Sequence, residues 1–250
     1  MEGLFLRLVQ GLLASRDFFL AGLLFWGVGW LARRRLARQG MPDAVLADVQ
    51  FWAMAGALVV GRLFFVVPQG ALVLRYPLDF LRVNAGLSLY GAMVGAFLGG
   101  VWVLRRARLP LAPVADAWAL FAPLGIALYR LACLWTGACF GNQAPPPLGV
   151  RFPGLVGPRY PSELYEGLLA LALFGGLALL AERRPRPGTV ALAFLGGYGL
   201  LRALVDLTRI RLGSAWGASD IALSLGVAGL AGLLWLARRR EAGHPTGGEG

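Results

Sequence analysis

The sequence contains few charged residues for its length. Only 15% of its 250 residues are Asp, Glu, Lys or Arg, whereas 58% are hydrophobic and 36 are glycine. A soluble domain of this size needs far more polar surface, and several apolar runs approach the roughly 20 residues that cross a bilayer. The composition therefore excludes a soluble domain and predicts a protein with several membrane-spanning helices.

Cysteine and histidine are also scarce. The two cysteines, Cys133 and Cys139, are too few for a disulfide framework, and the single histidine, His244, lies in the C-terminal residues EAGHPTGGEG. No internal repeat is evident, which disfavours a transporter built from inverted halves. The apolar N-terminal run has no small-residue cleavage site and is interpreted as a retained first span. No metal or cofactor is expected.

Acidic residues are outnumbered, with 13 against 24 basic ones and a net charge of +11. The basic residues occur in short clusters at 33–35, 105–108, 183–186 and 238–240, each directly after an apolar run. This pattern is typical of cytoplasmic anchors under the positive-inside rule. We therefore expect contact with anionic lipid headgroups and no nucleic-acid binding.

The apolar runs predict an all-α integral membrane fold with seven transmembrane helices. The four basic clusters follow helices one, three, five and seven, which predicts an outside N-terminus and a cytoplasmic C-terminus. Residues 1–237 form this domain, a proline-rich outer-face segment at 137–160 is a candidate lid, and residues 238–250 form a disordered cytoplasmic tail. The predicted spans are residues 12–31, 45–67, 86–104, 114–136, 161–181, 189–207 and 219–237.

The stretch at 159–180, RYPSELYEGLLALALFGGLALL, carries two carboxylates where a helix enters the membrane. Pro161 suits the first helical position, and Glu163 and Glu166 share a face at i, i+3. Acidic groups at such a depth suggest a functional site. The alternative is that they cap the helix, complement its dipole and remain in water.

Other polar residues fall at the same outer depth of the predicted bilayer. On helix six they form a single face with spacing i, i+4, i+8 and i+11. Together with the helix-five carboxylates they predict a polar cavity near the outer leaflet, where guanidinium groups would bind a phospholipid phosphate. Snorkelling at helix ends is the alternative, and it is the preferred explanation for Arg209 and, less firmly, for Arg62. The converging residues are Arg62, Tyr90, Arg130, Cys133, Glu163, Glu166, Tyr198, Arg202, Asp206 and Arg209.

At these residues the sequence resembles the phosphatidylglycerol–prolipoprotein diacylglyceryl transferase family. YPSELYE at 160–166 resembles the family's YPSQLYE, and GYGLLRALVDLTR at 197–209 is similar to GYGxxRxxxExxR. VVGRLFF at 59–65 resembles GGRxxY, FLRVNAGLSLYGAMVG at 80–95 resembles FRxWxGGMSFHGGLIG, and YRLACLWTGACFG at 129–141 resembles GRxGNFxNxExxG. The five motifs occur in the family's order.

The resemblance implies a bacterial inner-membrane enzyme that transfers diacylglycerol from phosphatidylglycerol to the lipobox cysteine of a prelipoprotein, releasing glycerol phosphate. The reaction needs a thiolate and cations for the departing phosphate. Arg130, Arg202, Tyr90 and Glu166 are the expected catalytic residues. The expected substrate-binding residues are Arg62, Gly91, Gly95, Cys133, Gly141, Ser162, Glu163, Tyr165, Tyr198 and Asp206.

Among the positions that differ from the family pattern, three bear directly on the chemistry. Tyr90 stands at the family's histidine, Cys133 at an asparagine and Ala138 at a glutamate. Tyrosine, with a reference pKa near 10, is a poor base at neutral pH unless the arginines lower its pKa, so Glu163, Glu166 and Asp206 are alternative bases. A different acceptor, or a non-catalytic phospholipid-binding protein, is therefore also considered.

Cys133 has three possible roles. It could be a nucleophile, or it could pair with Cys139 on the oxidising outer side. The preferred interpretation is a small packing residue in a membrane helix.

Overall fold

The computed structural model describes residues 2–67, 88–136, 140–145, 147–152, 154–209 and 215–243. These residues form seven helices, and their only β-type pairings are isolated bridges. The all-α prediction is therefore confirmed. The helices in chain order are α1 (Glu2–Ala37), α2 (Asp43–Val66), α3 (Leu89–Arg106), α4 (Leu111–Thr136), α5 (Ser162–Glu182), α6 (Thr189–Arg209) and α7 (Ala215–Gly243).

Five helices in the described part of the chain are long and apolar enough to cross a membrane. Their apolar lengths of 18–24 residues match the thickness of a hydrocarbon core. The structure therefore supports five of the seven predicted spans. These five are Asp43–Val66, Leu111–Leu134, Ser162–Glu182, Thr189–Arg209 and Ile221–Arg238.

Several helices extend beyond the predicted spans. The first was expected to begin at residue 12, but α1 begins at Glu2, and α7 continues to Gly243, so residues 238–243 of the predicted tail are helical. Hydropathy marks the part of a helix that fits in a bilayer, whereas backbone hydrogen bonds continue into polar residues on either side. The segment at 69–85 between the second and third predicted spans, Cys139 and His244 lie outside the described residues.

The chain divides into two compact units, residues 1–114 and 115–250. In the first unit, α2 and α3 pack as an antiparallel pair with glycines at the crossing. A Cβ at Gly95 would collide with the Gly56 carbonyl, and one at Gly99 would collide with the Trp52 carbonyl. Only residues without a side chain permit this backbone approach, as in other small-residue helix contacts in membranes.

Polar contacts join α1 to α2 in the same unit. The fully buried Gln50 donates from Nε2 to the Trp26 carbonyl oxygen at 3.1 Å. At the turn between the helices, Arg33 forms a two-point salt bridge with Asp43. The side chain of Arg33 is partly exposed and that of Asp43 is exposed, so this pair contributes little stability.

In the second unit, Asp116 on α4 caps the start of α6. Its carboxylate oxygens accept from the backbone N–H groups of Gly188 and Ala191 at 2.6 and 2.8 Å. These are N–H groups that a helix start leaves without intrahelical partners, and the positive end of the helix dipole favours a carboxylate there. Asp116 is not among the residues predicted from the sequence.

Apolar packing fills the space between the helices of this unit. Leu120, Leu177, Ala181 and Val190 are buried together, and Phe121, Phe174 and Phe194 surround them. Between α6 and α7, a Cβ at Gly199 would meet the Ser224 carbonyl oxygen at 2.7 Å. The helices that carry the polar residues are therefore held by a continuous apolar core.

We predict that Gly95→Ala destabilises the first unit, whereas Gly100→Ala, on the same helix, does not. The new methyl group at Gly95 would overlap backbone atoms of Gly56, whereas at Gly100 its nearest neighbour is Val49 Cγ1 at an ordinary 3.7 Å. Overpacking of this kind costs about 1–3 kcal/mol. Thermal unfolding of both purified variants in one detergent measures the difference, and equal unfolding temperatures would contradict the proposed crossing.

Candidate functional site

The start of α5 places both of its carboxylates in the protein interior. Glu163 and Glu166 lie in the first two turns after Pro161, and their side chains are completely buried. The two carboxylates therefore do not remain in water, which was part of the alternative interpretation. Buried carboxylates are stable only when cations and hydrogen-bond donors surround them.

Glu166 is the centre of the site. Its Oε1 accepts from Arg130 Nη2 on α4 and from the Tyr198 hydroxyl on α6, each at 3.0 Å. Its Oε2 accepts from Arg202 Nη1 at 3.0 Å and lies 3.3 Å from Arg209 Nη2. One carboxylate thus joins α5 to both neighbouring helices.

A second carboxylate and a third complete the ion-pair network. Glu163 Oε1 accepts from Arg209 Nη2 at 2.8 Å, and Asp206 Oδ1 pairs with Arg202 Nη2 at 2.8 Å. The snorkelling interpretation of Arg209 is therefore wrong, because its guanidinium faces two buried carboxylates. Its place on the helix-six polar face was the signal that could have identified it.

The arginines are more open than the carboxylates. The side chains of Arg130, Arg202 and Arg209 keep 17%, 27% and 18% of their surface exposed, whereas both glutamates keep none. A guanidinium has five N–H donors, and these ion pairs use only one or two of them in each arginine. Among the described residues, the three positive and three negative charges of the network balance formally, and the arginines still present spare donors.

The described part of the proline-rich segment at 137–160 is fixed to the start of α5 and the end of α6. Asn142 donates its backbone N–H to the Thr208 carbonyl, and the Ser162 and Thr208 hydroxyls are 2.7 Å apart. A Cβ at Gly141 would collide with Ser162 Oγ, which explains why this position has no side chain. The Tyr165 hydroxyl donates to the Leu148 carbonyl at 3.2 Å.

The short backbone pairing within this segment gives it a defined shape. Gly141 and Tyr160 are joined through a backbone hydrogen bond, and Val150 and Arg159 exchange two. The described parts of the candidate lid, residues 140–145, 147–152 and 154–160, are therefore folded against the site. Thr208, which holds this segment, was missed because neither its residue type nor its spacing indicates a tertiary contact.

Most of the predicted site residues in the second unit come together. Glu166 contacts both Arg130 and Arg202, and Cys133 is buried one turn after Arg130. The others in this unit are Gly141, Ser162, Glu163, Tyr165, Tyr198 and Asp206, which lie in the network or in the contact with the proline-rich segment.

The remaining predicted residues belong to the first unit. Arg62 is buried, with its guanidinium 5.4 Å from the centre of the Phe65 ring. Gly91 and Gly95 face α2, where a Cβ at Gly91 would meet the Val60 carbonyl oxygen at 2.7 Å. Helix packing thus explains both glycines, and their substrate role stays a prediction. The side chain of Tyr90 lies outside the described residues.

Within the described residues, no group of three or more His, Cys, Asp or Glu side chains is arranged to hold a metal ion. The described ion pairs make the site an arginine–carboxylate network whose open groups are cationic. Such a site suits an oxyanion or phosphate that approaches from the exposed side of the guanidinium groups.

Comparison with known proteins agrees with this chemistry. Residues 18–237 match the family model described as prolipoprotein diacylglyceryl transferase. Three relatives carry the name phosphatidylglycerol–prolipoprotein diacylglyceryl transferase. The protein from Rhodospirillum rubrum is 37% identical over 80% of this chain and 77% of its own length. That from Zymomonas mobilis is 35% identical over 78% and 72%, and that from Methylocella silvestris is 34% identical over 90% and 89%. The chain belongs to the prolipoprotein diacylglyceryl transferase family.

Proposed function

We propose that this protein transfers a diacylglyceryl group from phosphatidylglycerol to the cysteine of a prolipoprotein. The names of its relatives give this donor and acceptor. The observation that carries the proposal is the group of three partly exposed arginines on buried carboxylates. Five span-capable helices and the family membership support a multi-pass location in the bacterial inner membrane.

The reaction explains why such a site is needed. The sulfur of a cysteine thiolate attacks the carbon of the diacylglyceryl group that is bonded to a phosphate oxygen, forming a thioether as this carbon–oxygen bond breaks. The electron pair of that bond leaves with glycerol phosphate, and the thiol proton passes to a base. Negative charge grows on the phosphate, so preorganised cations lower the barrier.

We assign the phosphate contacts to Arg130 and Arg202. They approach Glu166 from α4 and α6, and both keep donors that the ion pairs do not use. Arg209 supports the network from the end of α6 through Glu163. Tyr198 and Asp206 fix the orientation of Glu166 and Arg202, respectively.

Glu166 is proposed as a positioning residue, because arginine or tyrosine donors engage both of its oxygens. Glu163 differs, since its Oε2 accepts no hydrogen bond from the residues that the structure describes. Glu163 is therefore the carboxylate of α5 that retains an open acceptor for a proton. Tyr90, at the position of the family's histidine, is the other candidate base.

A second candidate function is transfer to another acceptor, such as a different lipid headgroup or a small molecule. The favouring observation is the pair of departures from the family motifs, Tyr90 for histidine and Cys133 for asparagine. The arginines that we assign to the phosphate are present in both cases. This candidate therefore differs from the first only in the nucleophile that accepts the diacylglyceryl group.

We also propose that the protein has seven membrane spans, with the N-terminus outside. In this arrangement α1 and α3 also cross the membrane, in addition to the five span-capable helices. The basic clusters at the C-terminal ends of α1, α3, α5 and α7 then all lie in the cytoplasm. The arginine–carboxylate network, at the ends of α4 and α6 and the start of α5, then lies at the outer leaflet. That is the side on which an exported prolipoprotein presents its cysteine.

Purified protein in phosphatidylglycerol micelles should release glycerol phosphate when a lipobox peptide is added. Arg130→Ala and Arg202→Ala should each lower this release at least about 100-fold, the effect of removing one donor from an oxyanion site. Arg183→Ala, in the exposed cluster after α5, removes the same charge and should leave the rate unchanged.

The same assay separates the alternatives. Release with cell lipid extract but not with the peptide would favour the second candidate function. Tight phospholipid binding without turnover under either condition would overturn both. Full activity in Arg130→Ala or Arg202→Ala would overturn the site.

Reporter fusions test the topology. Green fluorescent protein fused after residues 40, 107, 187 and 243 should fluoresce, because each point is cytoplasmic, and alkaline phosphatase fused after residues 70, 157 and 213 should be active. Two successive fusion points that report the same side would show that the helix between them does not cross the membrane.

A further inference from the structure

A separate cavity of about 310 Å³ lies between α2 and α3 in the first unit. It is at the end that carries the basic cluster of residues 105–108. Two charged residues, Asp48 and Arg106, and two indoles, Trp52 and Trp102, form its walls, while Val45 and Val103 line its apolar floor. No part of the arginine–carboxylate network contributes to it.

The sequence spacing sets the layering of this cavity. Asp48 and Trp52 are at i, i+4 on α2, and Trp102 and Arg106 are at i, i+4 on α3, so each pair shares a helix face. Because α2 and α3 are antiparallel, both charges lie one turn nearer the polar end than the indoles. The two charged side chains therefore lie nearer the polar end of the helices and the two indoles lie deeper, as at a membrane interface.

The two charges share the cavity without neutralising each other. Asp48 is exposed and forms no salt bridge within the described residues, although Arg106 lines the same space. An ionised carboxylate less than two turns into a membrane helix is costly unless a cation accompanies it. A ligand with a cation and an anion a few ångströms apart would pair with both Asp48 and Arg106 at once.

The walls are held in place by the close crossing of the two helices. Gly99 lies directly against the Trp52 carbonyl, because a Cβ at this position would collide with it. The two indoles meet edge to face, with centroids 5.1 Å apart and planes at 69°. Each indole keeps almost half of its surface exposed, 43% for Trp52 and 48% for Trp102. The cavity is thus preformed, which lowers the entropic cost of binding.

We propose that this cavity binds the headgroup of an amine-containing zwitterionic phospholipid. The phosphate would contact Arg106, and the ammonium would contact Asp48 with further attraction from the indole faces. The apolar floor and the indoles would cover the glycerol backbone and the first acyl carbons. The site is distinct from the proposed phosphatidylglycerol site and does not depend on the proposed function.

The charge pattern distinguishes this ligand from the proposed substrate. Phosphatidylglycerol offers a phosphate for Arg106 but no cation, so Asp48 would remain unpaired beside a negative charge. Phosphatidylethanolamine offers both charges on adjacent groups. The selectivity should therefore depend on Asp48, and the phosphate affinity on Arg106.

Native mass spectrometry of the delipidated, full-length protein with phosphatidylethanolamine tests the proposal. Asp48→Asn should weaken binding of the first phosphatidylethanolamine molecule about tenfold, an effect of order 1.4 kcal/mol, and Asp48→Glu should restore it. Asp43→Asn is the matched control, because Asp43 lies on the same helix, pairs with Arg33 and does not line the cavity. Arg106→Gln should weaken binding, whereas Arg105→Gln should not.

Glycerophosphoethanolamine identifies the source of the ligand. Competition at millimolar concentration would show that the headgroup suffices, and lipid binding without competition would assign the site to an intact phospholipid; both outcomes support the proposal. Equal phosphatidylethanolamine binding by the wild type, Asp48→Asn and Asp43→Asn would overturn it. Unchanged unfolding temperatures in these exposed-site variants exclude misfolding as the cause.

Discussion

The second unit depends on the ion pairs and hydrogen bonds that the Glu166 carboxylate forms. It is completely buried, and it receives donors from Arg130 on α4 and from Tyr198 and Arg202 on α6. Removal of one partner from a buried ion-pair network leaves an uncompensated charge and typically costs 3–5 kcal/mol. The same contacts that hold the helices together therefore hold the arginines at fixed positions for a phosphate.

Two polar contacts and the apolar core between them form the frame of this unit. At one end the Asp116 carboxylate on α4 caps α6, and at the other Glu166 joins both helices through α5. Because α4 and α6 are tied at both ends, their relative positions are fixed over nearly their whole length. Binding geometry at the arginines then needs little reorganisation when a phospholipid arrives, which is what electrostatic preorganisation requires. Glycines give the first unit its own rigid α2–α3 crossing.

The sequence predicted the features that composition and local periodicity control. Hydropathy located the five span-capable helices, and the i, i+4, i+8 and i+11 face grouped Tyr198, Arg202, Asp206 and Arg209 correctly. Hydropathy did not determine where α1 and α7 end, because a helix can continue into water. The partners of Arg209 were also missed, since snorkelling and ion pairing differ only in what the neighbouring helix presents. For the same reason, Asp116 and Thr208 could be identified only from tertiary contacts.

The phosphatidylglycerol affinity of Glu166→Gln tests whether Glu166 positions the arginines, as we propose, or acts as the base. The substitution keeps the shape of the side chain but removes the charge that holds Arg130 and Arg202. Glu182→Gln, at the exposed end of the same helix, is the control. We expect at least about a tenfold loss of affinity in Glu166→Gln, which corresponds to about 1.4 kcal/mol, and no loss in Glu182→Gln. Unchanged affinity together with lost turnover would contradict the positioning role and assign Glu166 to the chemical step.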